Sequence, residues 1–264
     1  MVVEGAKEGA PVKVILVTGG GGGVGSGLVL ALAKEGADIA IAERIAERGE
    51  EAAKAVEGLG RRAIAIACDV SKRDQVDAAI ARTLDSLGGL HVVVNMATGV
   101  SQATSNLPLL DHTEADFDRI FAVDVKGTFH FMQATHSHFK AQGGGKFINF
   151  SSGAGSERLA GFAAYSSAKE GVRALTGVAA KEWGPDNITV NVVCPAAMTP
   201  GMKGFLENHP DPDFKKMALG DRPLSRLGDP EKDIGGVVAF LASAESDYMT
   251  GHTFWVDGGS SIHA

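Results

Sequence analysis

The chain lacks several features that mark whole classes of proteins. It has only two cysteines, Cys68 and Cys194, with neither C-x-x-C spacing nor a histidine close in sequence, so no zinc ribbon or disulfide framework is predicted. Basic residues do not predominate, since 25 Lys and Arg against 32 Asp and Glu give a net charge of −7. A nucleic-acid partner is therefore not expected, because binding to phosphates needs a basic face.

Long apolar runs are also missing. No stretch of about 18 apolar residues is present, so we expect no membrane partner. Residues 1–10 lack the apolar segment of a secretory signal, and we expect them to form a flexible extension. The two cysteines then fit buried thiols in a reducing compartment, which favours a cytoplasmic location.

Short apolar runs alternate with longer amphipathic segments along the chain. This alternation predicts an α/β fold, a doubly wound (Rossmann) parallel sheet of about seven strands in one domain, residues 11–264. A long proline-containing segment, Thr199–Asp229, is predicted to form a substrate lid. The predicted strands are Val12–Thr18, Asp38–Glu43, Ala63–Asp69, Leu90–Asn95, Lys146–Ser151, Ile188–Cys194 and Thr253–Val256. The predicted helices are Val24–Glu35, Ile45–Leu59, one capped by Ser71 and ending at Leu87, one capped by Thr113 and running from Asp116 to Phe139, Ala163–Trp183 and Glu231–Ala242.

A run of five glycines, Gly19–Gly23, joins the first predicted strand to the first predicted helix. Such a turn lets the backbone approach a pyrophosphate, and the helix N-terminus supplies amide donors. A flexible linker is the alternative, but the flanking strand and helix argue against it. Glu43, at the end of the second strand, can accept hydrogen bonds from the adenosine ribose and would repel a 2′-phosphate, which favours NAD. The alternative for Glu43 is a solvated charge at the end of the strand. The adjacent Arg44 favours NADP.

Tyr165 and Lys169 are one helical turn apart, so their side chains share one face of the helix. A neighbouring ammonium stabilises a phenolate, which makes Tyr165 a candidate general acid/base for an alcohol or a carbonyl. A pair with this spacing is common by chance, and the alternative is an ordinary helix surface.

Several motifs in order make the chain resemble the short-chain dehydrogenase/reductase family from about Val12 to Ser261. The family pattern T-G-x-x-x-G-x-G matches residues 18–25, and its Tyr-x-x-x-Lys pair matches Tyr165 and Lys169. The resemblance implies that Ser152 holds the substrate oxygen, Tyr165 passes the proton and Lys169 activates Tyr165 and holds the nicotinamide ribose. Ser151 is interpreted as structural. The residues expected to bind the cofactor are Gly19, Gly22, Gly23, Val24, Gly25, Glu43, Asp69, Val70, Asn95, Tyr165, Lys169, Met198 and Thr199.

Three departures from the family pattern stand near the expected site. The usual Asn-Asn-Ala-Gly reads Asn95-Met-Ala-Thr98, and Pro-Gly reads Pro195-Ala196. The family's fourth catalytic residue, an asparagine, is Asp124. Two roles are open for Asp124: its backbone carbonyl alone matters, or its carboxylate pairs with Lys169 and tunes Tyr165. We favour the backbone carbonyl, because the family uses an uncharged residue there.

The leading hypothesis is an oxidoreductase that interconverts a secondary alcohol and a ketone with NAD, NADP being the less favoured cofactor. An NADPH-dependent 3-oxoacyl-thioester reductase is one alternative, and a non-catalytic dinucleotide-binding sensor or scaffold is another. The substrate pocket is expected at Thr98–Asn106, Gly153–Phe162 and the lid. It suits a medium-sized hydroxylated or cyclic ketone.

No metal site is expected, because His136 and His138 are two positions apart on one predicted helix and point in different directions. The family resemblance implies a homotetramer. The long helix Asp116–Phe139 and apolar residues at helical spacing on the Tyr165 helix are predicted to contribute surface to its interfaces. The residues on the Tyr165 helix are Ala168, Val172, Leu175 and Ala179.

Overall fold

A computed structural model describes residues 12–101, 104–207 and 222–262. Seven strands form one parallel sheet in the order β3-β2-β1-β4-β5-β6-β7. The strands are β1 (Val14–Thr18), β2 (Asp38–Glu43), β3 (Ala63–Ala67), β4 (Val92–Asn95), β5 (Gly145–Phe150), β6 (Ile188–Pro195) and β7 (Thr253–Val256). The predicted doubly wound single-domain sheet is confirmed.

Helices cover both faces of this sheet. They are α1 (Val24–Lys34), α2 (Ala46–Glu57), α3 (Arg73–Leu87), α4 (Glu114–Phe121), α5 (Gly127–Ala141), α6 (Gly153–Ser156), α7 (Ala163–Trp183), α8 (Pro200–Glu207) and α9 (Gly236–Ala242). Successive side chains of a strand point to opposite faces, so a strand that is buried on both sides is apolar throughout. In β1, Leu16 belongs to one apolar core and Ile15 to the other, and both are fully buried.

Two predicted helices are interrupted by π-helical turns. The expected helix Asp116–Phe139 is divided into α4 and α5 by the π turn Ala122–Lys126, and α9 is preceded by the π turn Pro230–Gly235. Each adds a residue to a turn of helix, which a periodicity of 3.6 residues does not reveal. The Thr113 cap is confirmed, since Thr113 and Asp116 form a capping box.

The predicted cap at Ser71 is wrong. Lys72 precedes the first residue of α3, and its side chain makes no capping hydrogen bond. The backbone amide and hydroxyl of Ser71 instead donate to the Asp69 carboxylate at 3.0 and 2.7 Å. The hydroxyl is therefore engaged in a turn after β3 rather than at the helix end.

The predicted lid contains more regular structure than the sequence suggested. Helix α8 occupies its beginning, and Gly228 near its end pairs with Ala197 beyond β6. The central part of the lid, residues 208–221, and the expected extension at residues 1–10 lie outside the described residues.

Three of the four α7 residues predicted to supply interface surface are buried within the monomer. Ala168, Val172 and Ala179 pack in the interior because α7 turns that side towards the sheet and α4. Val178 on the same helix and Phe129 on α5 are exposed instead, at 54% and 42%.

Candidate active site

The glycine-rich loop between β1 and α1 lies at the carboxyl ends of the strands. Here the sheet order changes direction between β1 and β4, the position where doubly wound folds bind ligands. A Cβ on Gly25 would lie 2.3 Å from the Gly19 carbonyl oxygen, so only glycine permits this close approach. Gly19 and Gly23 have φ of +70° and +60°. The loop therefore follows a path that glycine allows, with its backbone next to a cavity, as a dinucleotide phosphate requires.

Thr18 ties this loop to the neighbouring strand β4. Its buried hydroxyl accepts hydrogen bonds from the backbone amides of Met96 and Ala97 at 3.0 and 3.1 Å. The segment after β4, which includes Thr98, is thereby fixed against the glycine-rich loop.

Glu43 contacts the glycine-rich loop from the end of β2. Its carboxylate accepts from the backbone amides of Gly21 and Ile45 at 3.2 and 3.1 Å. A carboxylate has about four acceptor positions, so these two bonds leave capacity for ribose hydroxyls. Arg44 and Arg48 line the same cavity, and the Arg48 side chain lies beside Gly21 and Gly22.

A cavity of about 520 Å³ runs from this loop to α7. Most of the residues predicted to bind the cofactor line it, so the described chain fits a dinucleotide. These residues are Gly19, Gly22, Gly23, Val24, Glu43, Asp69, Val70, Tyr165 and Lys169.

Four predicted cofactor residues do not line this cavity. Gly25 is buried beneath the loop, and the buried Asn95 amide donates to the side chain of Asn149 at 2.9 Å. Met198 and Thr199 follow β6, where the Met198 amide donates to the Gly228 carbonyl and the Thr199 hydroxyl accepts from the Met202 amide. Gly25 and Asn95 thus support the site from below.

The Asp69 carboxylate is held by hydrogen bonds from Ser71 in the turn after β3. Partial burial raises the pKa of its carboxyl, but the hydrogen bonds from Ser71 and the charges of Lys72 and Arg44 outweigh that effect, so the pKa is lowered. Asp69 is therefore a fixed anion and acceptor at the edge of the cavity.

Tyr165 and Lys169 lie on α7 where it faces the cavity. The Lys169 ammonium is 5.6 Å from the centre of the Tyr165 ring. It also donates to the Phe150 carbonyl at 3.1 Å and contacts the Asp124 carboxylate at 2.8 Å. Because an ammonium has three donors, one remains for a ligand.

The contacts of Asp124 differ from the favoured expectation that only its backbone carbonyl matters. Its carboxylate, rather than its backbone carbonyl, contacts Lys169, and the carbonyl accepts from the Thr128 hydroxyl at 2.7 Å. Burial lowers the pKa of Lys169, but Asp124 and Tyr165 raise it by more, so the ammonium is stabilised. The π turn Ala122–Lys126 carries Asp124, and its position was not visible in the sequence.

The two serines after β5 have different surroundings. Ser151 is buried, and its hydroxyl donates to the Lys169 backbone carbonyl at 2.8 Å, in keeping with a structural role. Ser152 is partly exposed at the start of α6, where its hydroxyl accepts from the Ala154 amide at 3.2 Å. That hydroxyl keeps its proton for donation to a substrate oxygen.

Sequence reasoning missed two arginines of the cavity, Arg48 and Arg119. Both belong to charged, exposed helix faces, so the sequence gives no sign that they border a site. It also treated Thr98 and Asp124 as separate departures, although the Thr98 hydroxyl donates to the Asp124 carboxylate at 2.9 Å.

The histidines of α5 contact protein groups. His130 and His138 lie 3.2 Å from the carbonyl oxygens of Val70 and Leu90, and His136 lies 3.3 Å from the Asp186 carboxylate. Among the described residues, no three His, Cys, Asp or Glu side chains cluster closely enough to hold a metal ion. In the same part of the chain, no helix has the length and apolar character needed to cross a membrane.

Known proteins are similar to this chain over nearly its whole length. A family model described as enoyl-(acyl carrier protein) reductase matches residues 20–261. The 12alpha-hydroxysteroid dehydrogenase of a Clostridium species is 37% identical over 254 residues, covering 94% of this chain and 96% of that protein. The L-2,3-butanediol dehydrogenase of Corynebacterium glutamicum is 37% identical over 257 residues, covering 94% and 98%. The structure of NAD⁺-bound xylitol dehydrogenase is similar with a TM-score of 0.85 at 32% identity, covering 94% and 98%.

These relatives are dehydrogenases, and the match extends over nearly the whole chain. The protein is an oxidoreductase that interconverts alcohols and ketones with a nicotinamide dinucleotide. The similarity to dehydrogenases argues against the alternative of a non-catalytic sensor. The chain belongs to the short-chain dehydrogenase/reductase family.

Proposed function

We propose that this protein uses NAD to interconvert a secondary alcohol and a ketone, with Tyr165 as the general acid/base. The observation that carries the proposal is that Tyr165 and Lys169 line the same cavity as the glycine-rich loop and Glu43. A proton-transfer group and a dinucleotide cradle thus share one space, as a reaction that moves a hydride and a proton together requires.

Each residue has a definite task in this proposal. A bound nicotinamide dinucleotide supplies the hydride donor or acceptor. Lys169 uses its remaining donor to hold the cofactor ribose, and its charge stabilises the Tyr165 phenolate. Ser152 donates to the substrate oxygen, and Tyr165 gives or takes the proton of that oxygen.

Replacing the Tyr165 hydroxyl tests the proposal. Tyr165→Phe is expected to lower kcat/KM by at least about a hundredfold, because a general acid/base contributes roughly 10²- to 10⁴-fold. NAD binding, measured by fluorescence titration, should stay nearly unchanged.

Tyr248→Phe is the matched control, because Tyr248 is the other tyrosine of the chain and is fully exposed. It should turn over like the wild type. Substantial activity in Tyr165→Phe would refute the assignment.

We further propose a medium-sized hydroxylated or cyclic substrate. The 12alpha-hydroxysteroid and butanediol dehydrogenases support a secondary alcohol. A second cavity of about 920 Å³ is bordered by Gly155–Gly161, including Glu157, Arg158 and Leu159. This range lies within the segment that is expected to touch the substrate. A panel of cyclic and linear ketones, followed by nicotinamide absorbance, tests this class.

A 3-oxoacyl-thioester reductase is the second candidate. The family model's description as an enoyl-(acyl carrier protein) reductase favours an acyl thioester. Arg44 and Arg48 beside the ribose-facing end of the cavity favour the 2′-phosphate of NADPH. Faster turnover of 3-oxoacyl thioesters with NADPH than of free ketones with NADH would favour this candidate.

For the whole protein we propose a cytoplasmic homotetramer. Two buried cysteine thiols fit a reducing compartment. Burial raises the pKa of both thiols to about 11, so they stay protonated and unreactive. Exposed Val178 and Phe129 offer apolar surface for subunit contacts.

A further inference from the structure

Two departures from the family pattern touch each other in this structure. Thr98 stands where the family has glycine, and Asp124 where it has asparagine. The Thr98 hydroxyl donates to Asp124 Oδ1 at 2.9 Å, and the Gly99 amide donates to Oδ2 at 2.7 Å. These bonds supply donors to both oxygens of a carboxylate that is buried.

The Asp124 carboxylate contacts the Lys169 ammonium, which in turn lies near the Tyr165 ring. Asp124 Oδ1 is 2.8 Å from Lys169 Nζ, and the two side chains are 0% and 4% exposed. A buried pair of opposite charges acts at a distance mainly as a dipole, so its field at the Tyr165 ring is weaker than that of a lone ammonium.

Other titratable groups near Lys169 do not replace this effect. Cys194 on β6 faces it, but burial raises the pKa of that thiol to about 11, so the thiol is neutral at working pH. Glu170 and Arg173 on α7 pair with each other at 2.9 Å. Among the described residues, the contact that β5 makes with the ammonium is the neutral Phe150 carbonyl. Arg119 of α4 lines the cavity.

We propose that Thr98 and Asp124 form a positioning pair that compensates the charge of Lys169 and so sets the pH range in which Tyr165 exchanges its proton. The proposal rests on the proposed function, in which Tyr165 is the acid/base. Thr98 and the Gly99 amide donate hydrogen bonds that orient the carboxylate towards Lys169, while Asp124 holds the ammonium. Compared with an uncharged amide at position 124, this arrangement favours the neutral phenol over the phenolate.

The test is Asp124→Asn, which keeps the size of the side chain and removes its charge. The Lys169 ammonium is then uncompensated, and the Tyr165 phenolate should form at a pH lower by about one unit or more. Because the chain has only two tyrosines, the substitution Tyr248→Phe leaves Tyr165 as the sole tyrosine. Its ionisation can then be followed by phenolate absorbance without substrate or cofactor, with circular dichroism confirming the fold at each pH.

A second measurement is the pH profile of alcohol oxidation, which needs the phenolate. The acidic limb of kcat/KM should move to lower pH in Asp124→Asn by the same amount as the phenolate titration. An unchanged or alkaline-shifted titration overturns the proposal. If instead Tyr165→Phe stays active, the proposed function fails, while the titration still decides the role of Asp124.

The role of Thr98 is tested by removing its hydroxyl. Thr98→Val should lower the urea midpoint of unfolding more when Asp124 is present than in the Asp124→Asn background, since bonds to a charged acceptor are stronger. Thr98→Ser keeps the hydroxyl and should retain most of the wild-type midpoint. An equal loss in both backgrounds would show that Thr98 and the carboxylate do not act together.

Discussion

At the scale of single residues, Glu43 has two tasks at one end of the cavity. It holds the backbone amides of Gly21 and Ile45 and presents its negative charge where the adenosine ribose is expected. Arg44 and Arg48 bring positive charge to the same place. Cofactor choice therefore depends on which charge lies closer to the ribose 2′ position.

We predict a preference for NAD that depends on the Glu43 charge. Glu43→Gln keeps an acceptor for one backbone amide and removes the repulsion of a 2′-phosphate, so the ratio of kcat/KM for NADP to that for NAD should rise on the order of tenfold. Arg48→Gln is the matched variant of opposite sign and should lower that ratio. A wild-type preference for NADPH would contradict the prediction and give the decisive role to the arginines.

Residues whose chemistry depends on spacing along one element could be predicted from the sequence. Tyr165 and Lys169 are an example, because one helical turn brings them together whatever the rest of the fold does. The contact between Thr98 and Asp124, which lie on distant segments, was not predictable. Thr98 meets Asp124 only because a loop fixed by Thr18 faces a π turn.

At the scale of elements, most strands and helices follow from apolar patterning, and Ala163–Trp183 has the predicted bounds. The π turns do not follow from it, because one extra residue in a turn leaves no periodic signal. The return of the chain from the lid is likewise a tertiary feature. At this return Arg226 contacts both oxygens of Asp233 at 2.5 and 2.9 Å.

This ion pair should make stability depend on pH. Hydrogen bonds from Arg226 and from the Asp229 amide lower the pKa of Asp233 from 3.8 to about 2. A depressed carboxyl pKa stabilises the folded state above the unfolded pKa, and the effect is lost as pH falls through about 4 towards 2. Because the pair is partly exposed, we expect Asp233→Asn to cost about 1 kcal/mol at neutral pH.

Urea unfolding of wild type and Asp233→Asn between neutral pH and pH about 3 measures this effect. The difference in the free energy of unfolding should shrink as the solution becomes acidic. Asp118→Asn on the exposed face of α4 is the control and should change little at any pH. A difference that stays constant with pH would contradict an ionic origin.

At the scale of the whole molecule, the sheet order places the proposed site at one edge of the sheet. Strands on either side of the β1–β4 switch deliver the glycine-rich loop, Glu43 and the Thr98 segment to the same cavity, and α7 closes it. Alternating strands and helices predicted this arrangement, because parallel strands need crossover helices. The outer surface was predicted less well, since a helical apolar stripe does not tell which side meets the sheet and which meets another subunit.

Exposed apolar residues on α5 and α7 lead to the prediction of a homotetramer. At micromolar concentration, light scattering should give about four times the chain mass of 27.3 kDa. Phe129→Glu and Val178→Glu should shift the mass towards dimer or monomer, because each would place a charge in an apolar contact. Leu59→Glu, at an apolar position near the end of α2 that is about as exposed as Phe129, should leave the mass unchanged. A monomeric wild type would refute the tetramer, and a tetramer that tolerates both substitutions would place its interfaces away from these two side chains.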